Sequence, residues 1–235
     1  MHPTSPAETL ELSGSIQYKR PPKPLHFPTE ESVPESKRHL KLRTFLFQLL
    51  THNFADRTCI GSEQFIYWNA RDPGRSLAPD IFVRLGMKDE IFTSWKSWER
   101  GTPELAVEIV SESDERESAW DEKLVRYHEL GIIELVRFDA DSPQGQRLRI
   151  WDRLDNDLVE RSIVGDRSPL VTLGLHWVVL GDAELGALLR IATDAEGRQL
   201  LPTREEAEVH VERLARQAAE RRVAELEAEL KRRDT

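Results

Sequence analysis

Apolar residues recur every three to four positions between Pro34 and about Asn53, where Leu42, Leu46 and Leu49 form one stripe flanked by Phe45 and Leu50. That spacing predicts an amphipathic helix. Three or four strands are expected next. The run Cys59 to Trp68 ends in the turn-rich Asn69 to Ser76, Asp80 to Leu85 follows Pro79, and Glu104 to Val110 is almost wholly apolar. Helical spacing returns from Glu117 to Leu130 through Trp120, Leu124, Tyr127 and Leu130, stops at Gly131, and leads into the apolar run Ile132 to Phe138. A strand, a helix and a strand in that order imply a central mixed sheet. Leu148 to Trp151 and Leu175 to Leu180 read as further strands, with a turn signalled between them by Asp155 and Asn156.

The two ends have a different composition. Residues 1–28 are polar and carry Pro21, Pro22, Pro24 and Pro28, which predicts an extended or disordered leader. From Pro202 onward the chain is rich in Ala, Glu, Arg and Leu, with Val211, Leu214, Ala218, Leu226 and Leu230 at near-helical spacing. This predicts a charged helix or short coiled coil over 202–235, with Thr203 and Glu206 spaced as a capping box at its start. One α/β domain over 29–201 is the expected middle.

A chain of 235 residues that is 39% hydrophobic supports one sizeable core with appendages. No segment reaches the roughly 18 uninterrupted apolar residues of a membrane span. The longest candidate, Leu170 to Leu189, is broken by His176, Asp182 and Glu184. A single cysteine, Cys59, and the lack of a basic segment leading into an apolar run make a reducing cytoplasm the expected setting. The net charge of -9 counts against a protein that coats nucleic acid by bulk electrostatics. Local charge matters more than the sum, however. Lys37, Arg38, Lys41 and Arg43 cluster early, and a metal held by carboxylates itself attracts phosphate.

The chain has no GxxxxGK[ST] loop, GxGxxG, HExxH or cysteine-histidine zinc spacing. What remains is a set of carboxylates at strand positions. Glu108 interrupts the apolar strand Leu105 to Val110, and an ionised carboxylate there needs solvent in a cleft, a cation or a metal. Alternation sets it on the face of Ala106 and Val110. If the strands that carry them are neighbours, Asp80 and Glu108 converge on one hard cation such as magnesium. On the first helix, Glu35 and His39 extend the arc of Leu42, Leu46 and Leu49, aimed at the interior or at a cleft. Lys123 sits at the edge of the arc of Trp120, Tyr127 and Leu130, within reach of a bound phosphate. Metal, carboxylates and lysine are the parts that phosphodiester hydrolysis requires. Each residue also has an ordinary explanation: Asp80 as a turn cap, Glu108 paired with Arg84 or with an arginine of another strand, Lys123 at the surface, His39 as a satisfied core histidine.

The segments Ala78-Pro79-Asp80-Ile81-Phe82-Val83 and Pro103-Glu104-Leu105-Ala106-Val107-Glu108-Ile109-Val110-Ser111, then Lys123, Tyr127, Gly131, Glu134 and Asp139, together resemble the Uma-type restriction endonuclease family of the PD-(D/E)XK nuclease superfamily. The resemblance runs from about Glu35 to Glu206. It implies a restriction-endonuclease-like α/β fold, a mixed sheet flanked by helices, with magnesium or manganese near Asp80 and Glu108 and the carbonyl of Ile109 completing the coordination. It further implies a site-shaping or metal-water role for Glu35 and the motif lysine's role for Lys123. In the simplest superfamily pattern that lysine lies two residues after the acidic one, where this chain has Val110. Ser111 and Tyr127 are expected to line the cleft. The implied activity is cleavage of DNA, with the terminal helix supporting a homodimer; the alternative is a catalytically weak or inactive nucleic-acid-binding or assembly module of the same fold.

Overall fold

The computed structural model describes residues 9–12, 16–19, 25, 27, 36–110 and 117–233. Within the leader, β1 (Thr9–Leu12) and β2 (Ile16–Lys19) pair antiparallel with each other, so these two pieces are extended and joined. Helix α1 (Lys37–Phe54) starts where Ser36 accepts a hydrogen bond from the backbone N–H of His39, an N-cap that satisfies one of the unpaired first-turn donors. It buries Leu42, Leu46, Leu49, Leu50 and Phe54, the predicted stripe with Phe54 added.

The run expected as one strand from Cys59 to Trp68 is two, β3 (Thr58–Gly61) and β4 (Ile66–Tyr67). The chain breaks at Glu63, whose φ of 66° lies in the left-handed region and cannot continue a strand. Gly61 precedes the break because the ring of Phe82 lies where a Cβ would be, 2.1 Å from that position. β4 leaves the main sheet and joins β5 (Ser76–Leu77) and β7 (Trp95–Lys96) in a small sheet of its own. A four-residue helix, α2 (Ser97–Arg100), follows β7.

The central sheet has six strands. Its order is β11-β10-β9-β8-β6-β3, built from β3, β6 (Ile81–Leu85), β8 (Leu105–Ile109), β9 (Glu134–Phe138), β10 (Leu148–Leu154) and β11 (Asp157–Glu160). Only β8 and β9 run parallel, because helix α3 (Glu117–Leu130) carries the chain across the sheet between them. The sheet is therefore mixed, as expected. Asp155 and Asn156, both at positive φ, form the tight turn between β10 and β11, a strand that sequence patterning had not shown.

One face of the sheet, carrying Ile81, Val83, Leu105, Val107, Ile109, Val136 and Phe138, packs against α1. The same core is extended by a three-stranded sheet of β12 (Arg167–Leu170), β13 (Leu175–Asp182) and β14 (Gly186–Ala192) through Leu170, Trp177, Leu189 and Ile191. The other face, carrying Phe82, Ala106, Leu135 and Trp151, packs against Trp120, Tyr127 and Leu130 of α3. Strand β8 is buried on both sides, which is why its sequence is apolar apart from Glu108.

Helix α4 (Arg204–Arg233) begins at the expected capping box: the N–H of Thr203 donates to Glu206 and the N–H of Glu206 donates to Oγ1 of Thr203. Arg190 of β14 anchors it to the body through Glu206. Beyond that root the helix is almost entirely exposed. Among the described residues no helix is long and apolar enough to cross a membrane.

Candidate active site

β6 and β8 pair antiparallel with Ile81 opposite Val107. Asp80 immediately precedes β6, so extending that register by one residue brings it opposite Glu108, whose side chain lies on the sheet face that α3 covers. The two carboxylates are only 7% and 6% exposed. Each is held from a different direction.

Oδ2 of Asp80 accepts the backbone N–H of Ile109 at 2.7 Å, which ties the start of β6 to the end of β8. Its Oδ1 lies 3.3 Å from Nε2 of His39, and the same nitrogen is 3.0 Å from the carbonyl oxygen of Ile109. Both partners are acceptors, so Nε2 carries the proton. His39 can make this bridge because it occupies the first turn of α1, beyond the apolar stripe, where the helix reaches the end of the sheet. The carbonyl expected to complete a metal's coordination thus already accepts one hydrogen bond, with its second lone pair left over.

Glu108 is met from α3. The buried hydroxyl of Tyr127 donates to Oε1 at 2.5 Å, and Nζ of Lys123 donates to Oε2 at 3.2 Å. Lys123 and Tyr127 are four residues apart on one helix face, so both reach the same carboxylate. Lys123 keeps 31% of its side chain exposed, which places an ammonium at the boundary between the buried pair and solvent. Arg84 does not pair with Glu108; it pairs with Glu104.

His39, Asp80, Glu108, Ile109, Lys123 and Tyr127 therefore come together at one end of β6 and β8. Tyr127 is closer than a cleft-lining residue, since it bonds Glu108 directly. Glu35 and Ser111 lie outside the described residues. Two carboxylates and a backbone carbonyl form an all-oxygen donor set suited to a hard divalent cation. Among the described residues no three His, Cys, Asp or Glu side chains form a metal-binding cluster, so this donor set rests on the carboxylate pair and the carbonyl.

The early basic cluster is largely occupied. Arg38 pairs with Asp141 and the carbonyl of Leu185, Lys41 with Glu184, and Arg43 with Ser62 and Glu63. Glu134 does not join the site: it is fully buried, accepts the N–H groups of Val171 and Thr172, and meets Arg161 at 3.3 Å. Burial alone would lower the Arg161 pKa, but its ion pairs with Asp152 and Glu134 outweigh that and raise it. This cluster fastens the sheet of β12, β13 and β14 to the central six-stranded sheet.

A family model for Uma2, described as "Putative restriction endonuclease", matches residues 29–181. The chain belongs to the Uma2 family. All the described site residues fall inside that match, which ends within β13, short of the 206 reached by the sequence resemblance; β14 and α4 lie beyond it. Among solved structures, the chain is similar to a "putative nuclease belonging to DUF820" from Anabaena variabilis, with 11% identity and a TM-score of 0.41, over 73% of this chain and 86% of that one. Among curated proteins none matches the chain.

One residue beside the candidate site was not named from the sequence. Arg137 of β9 lies opposite Glu108 in the parallel register. The signal was the same as at Glu108, a charged residue inside an apolar strand.

Proposed function

We propose that this Uma2 protein is a metal-dependent endonuclease that hydrolyses DNA phosphodiester bonds, with Asp80, Glu108 and the Ile109 carbonyl holding magnesium or manganese and Lys123 acting on the scissile phosphate. The observation that carries this reading is the pair of buried carboxylates at one end of the neighbouring strands β6 and β8, with a part-exposed lysine on Glu108. A divalent ion bound there supplies charge neutralisation for the phosphoryl oxygens and favours deprotonation of the attacking water.

The remaining roles belong to the chain itself. His39 and the Ile109 N–H hold Asp80 in one orientation, and Tyr127 does the same for Glu108, so neither carboxylate has to reorganise during the reaction. Lys123, anchored on Glu108, presents its ammonium to solvent, where it orients the water or neutralises the charge that develops on the phosphate. The reading is tested by incubating the full chain with end-labelled DNA and with RNA of the same sequence, in magnesium and in EDTA. DNA cleavage that EDTA stops supports it. Cleavage indifferent to EDTA, or of RNA alone, overturns the metal or the DNA assignment respectively.

The domain and assembly reading rests on α4. Val209, Val211, Leu214, Val223 and Leu226 are exposed on it. Residues 213–222 carry Arg213, Arg216, Arg221 and Arg222 against Glu220 alone, whereas 223–229 carry Glu225, Glu227 and Glu229 with no base. Two copies crossing antiparallel near residue 222 bring these opposite blocks together, whereas parallel pairing stacks like on like. A homodimer through α4 is thus the assembly proposed for the chain. Light scattering of the full chain beside one ending at Leu201 tests it: a dimer reduced to a monomer is expected, and equal protomer numbers overturn it.

A further inference from the structure

We infer that Arg137 forms a phosphate-binding site beside the carboxylate pair, taking a backbone phosphate of the nucleic acid. This inference rests on the nuclease reading above and adds a substrate contact to it.

Strand alternation in β9 puts Arg137 on the same face as Leu135, which packs in the α3-side core, and the parallel register puts it directly beside Glu108. On its other side the antiparallel register puts it opposite Arg149 of β10. A group of four charged residues therefore forms, with Glu108, Arg137 and Arg149 in a row across β8, β9 and β10 and Asp80 just before β6. Two of its members are anionic and two cationic.

Three of the four have partners. The carboxylates have the donors described above, and Arg149 makes a two-point ion pair with Glu160 at 2.7 and 2.9 Å. Arg137 is different. Among the described residues its guanidinium makes no hydrogen bond or ion pair, and its Nε is buried without a partner. Its one ring contact is with Trp120 of α3, with the guanidinium carbon 5.1 Å from the ring centroid. Glu108, the nearest carboxylate in register, is bonded by Tyr127 and Lys123 instead.

A half-buried guanidinium with an unsatisfied N–H, next to a second arginine, is unfavourable for folding alone. An anion that enters between them relieves both costs. Phosphate suits this place because the planar fork of arginine matches two phosphate oxygens, and because Trp120 fixes the plane of the guanidinium before the ligand arrives. A carboxylate-held cation and Arg137 would then grip one nucleic-acid backbone from adjacent strands.

The test uses the full chain, with Arg137→Gln and Arg137→Lys, and a fluorescent DNA duplex of about 20 base pairs titrated in calcium over about 50 to 200 mM salt. The expected result for Arg137→Gln is affinity lower by about fivefold or more, with the slope of log affinity against log salt shallower by about 0.9. Arg137→Lys keeps the slope, because the charge remains, but loses part of the affinity with the fork. Arg137→Gln is also expected to melt at or above the parent temperature, since it removes an unsatisfied charge; a purely structural stack on Trp120 would make it melt lower. Parent-like affinity and slope in Arg137→Gln overturn this inference alone, provided that Glu108→Gln abolishes cleavage. Failure of the parent to bind either DNA or RNA overturns the nuclease reading and this inference with it.

Discussion

The hydroxyl of Tyr127 offers the sharpest energetic test of the site. The residue is fully buried, and its one polar atom donates to a carboxylate that is 6% exposed. Tyr127→Phe keeps the ring in the α3-side core and removes the hydroxyl that donates to Glu108. A hydrogen bond to a charged group contributes about 1.5–3 kcal/mol, and the loss is felt because the carboxylate cannot turn to water. With an m-value of about 2–3 kcal/mol/M, the urea midpoint falls by about 0.5–1.5 M. The control is Glu108→Gln, where the hydroxyl faces a neutral amide and contributes about 0.5–1.5 kcal/mol. The double-mutant cycle should therefore give a coupling of about 1 kcal/mol or more between the two positions. Urea unfolding monitored by far-ultraviolet circular dichroism in EDTA measures all four proteins without any appeal to activity. If Tyr127→Phe costs the same in both backgrounds, within about 0.3 kcal/mol, the hydroxyl does not serve the Glu108 charge and the positioning argument fails.

Other perturbations reach different parts of the fold. Glu134→Ala leaves the Val171 and Thr172 N–H groups without their acceptor while Arg161 keeps Asp152, so unfolding free energy should fall by about 2–4 kcal/mol; a loss below about 1 kcal/mol would show that the buried cluster is not what fastens the two sheets. Burial, and after it the charge of Asp89, pushes the Cys59 thiol up to about 11, so the group stays protonated at neutral pH. Ellman's reagent should not react with the native protein and should titrate one thiol in urea; rapid native labelling contradicts the buried placement. At Glu206 burial opposes ionisation, but the hydrogen bonds from Arg190 and the Thr203 N–H prevail and lower its pKa. Its stabilisation of the α4 root is therefore complete above the ordinary glutamate range and is lost as pH falls through the lowered folded value. Glu206→Gln should remove that part of the acid sensitivity of helicity; an unchanged acid profile would contradict it.

Much of the fold was legible wherever one periodicity held over many residues. Helix α3 has the predicted bounds, α1 differs from its prediction by three residues at its start, and Thr203 and Glu206 form the expected box. The convergence of Asp80 with Glu108 was conditional on adjacent strands, and the pairing of β6 with β8 supplies that condition. What failed was non-local. Nothing in the run Cys59 to Trp68 signals that Glu63 takes a positive φ and sends Ile66 into another sheet, because the partners, the Pro79 carbonyl for Glu63 and β5 and β7 for β4, lie elsewhere in the chain. β12 contains Pro169, which blurs its pattern, and the acceptor role of Glu134 depends on N–H groups almost 40 residues away in sequence. His39 was visible as a polar extension of an apolar stripe; that it bridges Asp80 and Ile109 depends on where α1 ends against the sheet.

The most direct measurement is cleavage of supercoiled plasmid in magnesium, manganese or EDTA by the purified parent beside Asp80→Ala, Glu108→Ala and Lys123→Ala, each checked for a retained fold. Metal-dependent nicking by the parent, lost in all three variants, is the expected result. Variants that nick as fast as the parent, or a folded parent that neither nicks nor binds metal by calorimetry, would contradict it.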